Sequence, residues 1–325
     1  MTRNVHDHLV KEVFRRLPEA RSLFLAFLTE QQLQVLDLES LRCIPGTFVD
    51  EALRGRQTDL LFSVHCRGAP VLVYLLFEHK SAQDRWLVLQ LMIYVTRIWT
   101  HWREQHGERC RLPMILPVVL YHGTRPWNQP LRLIDLCDAE GRNLEILGPG
   151  QPTLPLTLID LSRFSEQQIE AACARGTAIT TLTMLLLKSI RAAGLLDRLR
   201  AWLPVVRRAR AETGGRQMLE LLVEYSMLGT REEVDLGGLS DVLRQAVGSE
   251  TEELVMNTGE KLIRQGEEQG MRKGMRDALA HVLMTRFGAI PESAQARMRA
   301  ADLETLQRWH SRAIVVESLD ETFGV

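Results

Sequence analysis

The sequence has 325 residues, of which 45% are hydrophobic and 25% charged; this balance is that of soluble globular proteins and argues against a disordered chain or a membrane protein. A formal net charge of −1 supplies no global attraction to nucleic acid, so any such binding must rest on local patches. Five cysteines, Cys43, Cys66, Cys110, Cys137 and Cys173, are widely spaced and form no C-x-x-C pair. With a start, MTRNVHDHLV, that lacks an apolar signal region, they predict reduced thiols in a cytoplasmic protein.

Residues 5–17 set Val5, Leu9, Val13 and Leu17 on one helical face, joined by Val10 and Phe14, and Pro18 is expected to close or kink that helix. A second helix is expected from Ala20 to Gln34, and residues 35–42 alternate as an extended segment leading to a loop at Pro45-Gly46. Residues 56–80 read as two neighbouring strands, 59–64 and 71–77, joined by turn chemistry at Gly68-Ala69-Pro70. The second is apolar throughout, as a central strand buried on both faces would be, and its apolar run stops at Glu78-His79-Lys80.

Asp84 is positioned to cap a long helix beginning at Arg85 and ending before Gly107. That helix is apolar almost all round and is expected to pack against the sheet. Residues 112–121 form another buried strand, with a turn at His122-Gly123. A second apolar pair, 131–136 and 154–161, flanks a Gly- and Pro-containing stretch at 148–152 and ends the α/β part. Ser165 to Gln168 fits a capping box, opening a helical region that runs to about residue 228. Residues 229–252 read as a linker or loosely packed connection. Gly266, Gly270 and Gly274, four apart, form a glycine stripe on one helical face, and Pro291 and Asp302 can start two final helices. The predicted domains are 1–165, 166–252 and 253–325.

Asp59, Glu78 and Lys80 carry the strongest chemical signal. Glu78 and Lys80 are two apart on a strand and so share a face, with Cα atoms roughly 6.6 Å apart. Two carboxylates and the backbone carbonyl of His79 are hard oxygen ligands suited to Mg²⁺ or Mn²⁺, which polarise a scissile phosphate and lower the pKa of bound water. Lys80 would orient that water. The plainer alternative is a salt bridge from Lys80 to Asp59 or Glu78 at a strand end. Gln90 and Tyr94, one helical turn apart, share a face and would turn an amide and a phenol toward the same site or a bound phosphate; the plainer alternative is a core glutamine bonded to a neighbouring backbone group. Glu12, beside Lys11, is a candidate for a further carboxylate, with a solvated charged pair as the competing reading. His6 and His8 point to different sides of their helix and are set aside, and His122 is read as a turn residue. From Lys188 to Arg216, eight basic residues stand against two acids, a candidate phosphate-binding patch or a solvated helix face.

In this order, HDHLVKEVF, TDLLF with Asp59, FEHKS with Glu78 and Lys80, QLMIYVTRIW with Gln90 and Tyr94, and LPVVLYHG cover residues 5–165. Together they resemble the Rpn family, recombination-promoting nucleases also described as YhgA-like transposases, within the PD-(D/E)XK nuclease superfamily. The resemblance implies an α/β core of the restriction-endonuclease kind, a mixed sheet flanked by helices, followed by α-helical C-terminal regions. It also implies Mg²⁺-dependent DNA endonuclease activity, with Asp59 and Glu78 as metal ligands, Lys80 as the catalytic lysine, and Gln90 and Tyr94 as a Q-x3-Y element. Thr58 stands where the superfamily nominally has a proline. The C-terminal part resembles a small helical domain of unknown function found after transposase-like nuclease domains, and the glycine-spaced stretch before it suggests a hinge or a helix for homo-oligomer formation. The competing expectation is an inactive nuclease-fold module that binds DNA or protein.

Overall fold

The computed structural model describes residues 5–44, 60–67, 72–138, 140–230, 235–248 and 250–323. The chain divides into two compact units, residues 1–255 and 256–325.

The first unit opens with helix α1 (Val5–Phe14), which buries Leu9, Val10, Val13 and Phe14 along one stripe. Pro18 neither closes nor kinks this helix. It lies in the first turn of α2 (Leu17–Phe27), where a missing N–H leaves no helical bond unmade. The single helix expected over residues 20–34 is two helices: a complete capping box between Thr29 and Gln32 opens α3 (Glu30–Val35) and breaks the chain there.

Strand β1 (Leu36–Ile44) runs antiparallel to β2 (Leu60–Cys66), with a register shift between Asp37 and Arg42. The Ser40 hydroxyl repairs the interrupted ladder, accepting from His65 N at 2.9 Å and donating to the Asp37 carbonyl at 2.6 Å. Strand β3 (Leu72–Lys80) is antiparallel to β2 and parallel to β4 (Met114–Tyr121), and β4 is parallel to the short β5 (Thr157–Asp160). The spatial order is β1-β2-β3-β4-β5, a mixed sheet. The parallel step from β3 to β4 is made through the long helix α4 (Leu87–His106), as parallel neighbours require a crossover.

Side-chain alternation sorts the sheet into two faces. Leu60, Phe62, Val64, Val118 and Leu120 join the core formed with α1, α2 and the later helices. Leu61, Val119 and Tyr121 face α4 and pack with Leu87, Leu91, Tyr94, Val95 and Ile98. Helix α4 is less enclosed than its composition suggests, because Leu89 and Ile93 on its outer side are exposed. Of the second apolar pair in the sequence, 131–136 yields a short 3₁₀ helix (Leu133–Leu136), and α5 (Gly141–Leu147) intervenes before β5.

The helical layer comprises α6 (Glu166–Cys173), α7 (Ala178–Ser189), α8 (Leu195–Ala201), α9 (Leu203–Ala211), α10 (Gly215–Gly229) and α11 (Leu236–Val247). Ser165 and Gln168 form the expected capping box. Helix α7 is buried on nearly every side, and its N-terminus receives the Glu212 carboxylate on Ala178 N at 2.6 Å and Ile179 N at 3.1 Å, an anion where the helix dipole favours one. Helix α11 corrects the linker expectation for residues 229–252. Its Leu239, Val242 and Leu243 are buried in the main core, and its two glycines sit in the first turn, where a Cβ on Gly238 would crowd the Asp235 carboxylate and the end of the Leu196 side chain.

Helix α12 (Glu250–Phe287) begins in the last residues of the first unit and continues into the second, where α13 (Glu292–Ala300), α14 (Leu303–Val315) and α15 (Leu319–Phe323) follow it. Pro291 and Asp302 stand at the starts of α13 and α14 as expected, with Asp302 accepting from Thr305 N at 2.8 Å. Leu279, Leu283, Ala294, Met298, Leu306, Ala313 and Phe323 form a separate core.

Candidate functional site at the end of β3

Ligands of open α/β sheets gather beyond the carboxyl ends of parallel strands, and β3 ends there with Lys80. Its half-buried ammonium donates to Gln90 Oε1 at 2.9 Å and pairs with Asp84 Oδ2 at 3.1 Å. An ammonium has only donors, so the Gln90 amide must turn its oxygen to Lys80 and its nitrogen away. That nitrogen donates to the Tyr94 hydroxyl at 2.6 Å. Lys80, Gln90 and Tyr94 thus form one hydrogen-bonded chain, made possible because Gln90 and Tyr94 are one turn apart on the sheet-facing side of α4.

Asp84 has a different part from the one its sequence position suggests. Helix α4 begins two residues after the expected start, at Leu87, and has no side-chain cap. The Asp84 carboxylate instead accepts from Trp86 N at 2.9 Å while holding Lys80. The described ion-pair partner of Lys80 is therefore Asp84, a residue that sequence reasoning assigned to capping alone. Lys80 ends a strand and residues 81–84 form no helix, so the spacing of four carried no signal of this pair.

Asp59 lies outside the described residues. The backbone of Glu78 pairs with Val119 and that of His79 with Leu120, and the side chains of both lie outside the description. Glu12 is exposed on α1 and pairs with Arg15 at 3.5 Å. Among the described residues, no group of three or more His, Cys, Asp or Glu side chains is arranged to hold a metal ion.

The loops beyond β3 and β4 are fastened to each other around this strand end. Gln83 donates to the Pro126 carbonyl at 2.8 Å and accepts from Asn128 N at 3.2 Å. The Tyr121 hydroxyl donates to the Arg125 carbonyl at 2.8 Å, and burial, then the Asp160 carboxylate, push its pKa up. Buried Asp160 accepts from Trp127 N at 2.9 Å and Ser162 Oγ at 2.7 Å and pairs with Arg163. Gly123 is required in this turn, since a Cβ there would lie 2.0 Å from the Tyr121 hydroxyl.

The run of basic residues from 188 to 216 does not form one open patch. Lys188 donates to the Leu161 carbonyl at 3.2 Å, Arg207 to the Gln245 carbonyl at 2.8 Å, and Arg198 pairs with Glu166. Arg200 and Arg216 pair with Asp197 and Glu220 on their own helices. Arg191 turns inward: Nη1 donates to the carbonyls of Ser81 and His122, both at 3.3 Å, and Nη2 to His6 Nε2 at 2.9 Å. His6 Nδ1 lies 2.8 Å from the Tyr225 hydroxyl. Burial, then the Arg191 charge, lower the His6 pKa to about 4. The sequence reading set His6 aside and took His122 as a turn residue. Contacts across 69 to 219 residues of chain leave no local pattern that could have joined them. The five cysteines are free, and burial pushes the Cys173 thiol up to about 12.

Fold and site together define a mixed α/β protein with a lysine-centred polar group at the carboxyl end of a parallel strand. The chain belongs to the family described as "Putative transposase, YhgA-like", whose model matches residues 4–216. It is 33% identical over 130 residues to recombination-promoting nuclease RpnD of Escherichia coli O157:H7, a match covering 39% of this chain and 50% of that protein. It is 29% identical over 119 residues to recombination-promoting nuclease RpnC of Escherichia coli K12, covering 36% and 39%. The inactive recombination-promoting nuclease-like protein RpnE of the same strain matches at 31% over 139 residues, covering 42% and 46%. The chain spans half or less of the length of these relatives. No solved structure matches it.

Proposed function

We propose that this protein is a Mg²⁺-dependent DNA endonuclease that hydrolyses phosphodiester bonds in recombination or in the traffic of mobile elements. The observation that carries the reading is the half-buried Lys80 ammonium, held at the end of β3 by Gln90 and Asp84, in a family whose named relatives include recombination-promoting nucleases. Glu78, His79 and Lys80 are the last three residues of β3, so a metal held by Glu78 and the His79 carbonyl would lie close to Lys80. The proposed ligands, Asp59, Glu78 and the His79 carbonyl, are hard oxygen donors of the kind Mg²⁺ takes and Mn²⁺ tolerates. Bound there, the ion would supply Lewis-acid polarisation of the phosphate and acidify a water. Lys80 would orient the attacking water and offset charge that develops on the phosphate oxygens. The Gln90 amide and the Asp84 carboxylate together fix the ammonium, and Tyr94 fixes the amide.

Supercoiled plasmid incubated with the purified full chain and Mg²⁺ tests this. Nicking is expected, with losses of about 100-fold or more in Asp59→Ala and Lys80→Ala, the scale of removing a group that stabilises transition-state charge. Gln90→Ala is expected to lose about 10-fold, as a positioning partner does. A second reading, an inactive module that keeps the fold for binding DNA or protein, is favoured by the relatives named as inactive. DNA binding without metal and without any nicking would select it. A cytoplasmic location and self-association belong to the same proposal. No helix among the described residues is long and apolar enough to cross a membrane.

A further inference from the structure

Arg191 stands just beyond the last turn of α7, half-buried, within the run of basic residues that by composition suits phosphate. Its geometry suits something else. The two carbonyls it reaches belong to Ser81 and His122, and both are tied to Lys80. Ser81 is the next residue in the chain. His122 donates its N–H to the Lys80 carbonyl at 3.0 Å. One guanidinium group therefore bridges the ends of β3 and β4 at the residue whose ammonium forms the candidate site.

The far side of the guanidinium is held as firmly. Arginine can only donate, so His6 Nε2 must be its acceptor, and a neutral ring then carries its proton on Nδ1. That Nδ1–H donates to the Tyr225 hydroxyl at 2.8 Å. Edge-on packing encloses the imidazole, with the His122 ring at 4.9 Å and the Tyr225 ring at 5.5 Å between centroids. The low His6 pKa agrees with a ring kept neutral by burial and by the adjacent cation. The chain of contacts runs from α10 through α1 to the segment after α7 and ends on the strand termini. The guanidinium reaches both carbonyls from Nη1 and the imidazole from Nη2, a spread of donors over two nitrogens in a fixed plane that the single nitrogen of an ammonium does not have.

We propose that Arg191, supported by His6 and Tyr225, is a positioning residue that sets the backbone at Lys80, and through it the Lys80 ammonium, and that it does not contact DNA. The catalytic part of this inference rests on the nuclease reading; the structural part does not. The helical layer then completes the site from behind.

The test uses the full chain with its lysines reductively ¹³C-dimethylated. The sequence has five, Lys11, Lys80, Lys188, Lys261 and Lys273, and Lys80→Arg assigns the Lys80 signal. Arg191→Lys keeps the charge but not the fork, and is expected to shift the Lys80 methyl resonance while the Lys11, Lys261 and Lys273 signals stay fixed. In Mg²⁺-dependent nicking the same variant is expected to lose about 10–100-fold in kcat, the scale for partners that orient a metal site, with KM and the salt dependence of DNA binding unchanged. A Lys80 resonance that ignores Arg191→Lys overturns the proposal. So does weaker DNA binding with the log–log salt slope reduced by about one, the mark of a lost phosphate contact. If Arg191→Lys does not fold, Tyr225→Phe, which removes one oxygen at the far end of the chain, decides by the same Lys80 signal. Failure of the wild type to nick would defeat the nuclease reading alone, since the resonance test requires no activity.

Discussion

A neutral imidazole wedged against a guanidinium makes folding sensitive to acid. The pKa of His6 falls to about 4 in the folded protein, through burial first and the Arg191 charge second, against an unfolded value near 6.5. Between these values the unfolded chain binds more protons than the folded one, so stability rises with pH across that interval. The contribution is complete above about pH 6.5 and is lost as pH falls toward 4. Discounted for the ring's partial exposure, it amounts to roughly 1–2 kcal/mol. Urea unfolding at pH 7.5 and 4.5 is expected to reveal a smaller acid loss in His6→Gln than in the wild type by about that amount. Glu19 works in the opposite sense, because burial raises its carboxyl pKa and its contribution fades as pH rises through the raised value. It is common to both proteins and drops out of the difference. An equal acid loss in both would mean that the ring is charged in the folded state.

At the scale of elements, α11 decides whether residues 229–252 connect or support. Leu243 is buried with Leu239 and Val242 in the core of the first unit, so Leu243→Ala is expected to destabilise that unit by about 2–5 kcal/mol in chemical denaturation. A linker residue would change it by less than about 0.5 kcal/mol. The helix was hidden in the sequence because Gly237, Gly238 and the neighbouring acids suggest a loose segment. The apolar spacing of Leu239, Val242 and Leu243 is the helical signal that composition masked. Where the determinant is local, the sequence is readable: the Ser165 capping box, the starts at Pro291 and Asp302, and the strands of β2, β3 and β4 all follow from neighbours a few residues apart. The same holds for Gln90 and Tyr94, joined across one helical turn. Pro18 was legible only as an interruption, since a proline in a first turn depends on which side the helix lies, and the Thr29 capping box was missed inside a stretch expected to be one helix. Arg191 was not legible at all, because the carbonyl of Ser81 is 110 residues away.

For the whole molecule, the second unit has its own apolar core, and its long helix α12 carries a feature that this core does not explain. Gly266, Gly270 and Gly274 are exposed, and a Cβ built on any of them meets nothing within 4 Å. Within one chain these glycines only weaken the helix, by roughly 1 kcal/mol each relative to alanine. Replacing all three with alanine is therefore expected to raise the thermal midpoint of the second unit. The stripe has a use if α12 approaches a second copy of itself closely, as the expected homo-oligomer would allow. In that case the three added methyl groups hold the helices apart, and light scattering is expected to register weaker self-association in a protein that is individually more stable. The opposite directions of the two effects make the result decisive: a higher midpoint with unchanged association would leave the glycines without a role in assembly, and a lower midpoint would mean that α12 bends or unwinds at these positions.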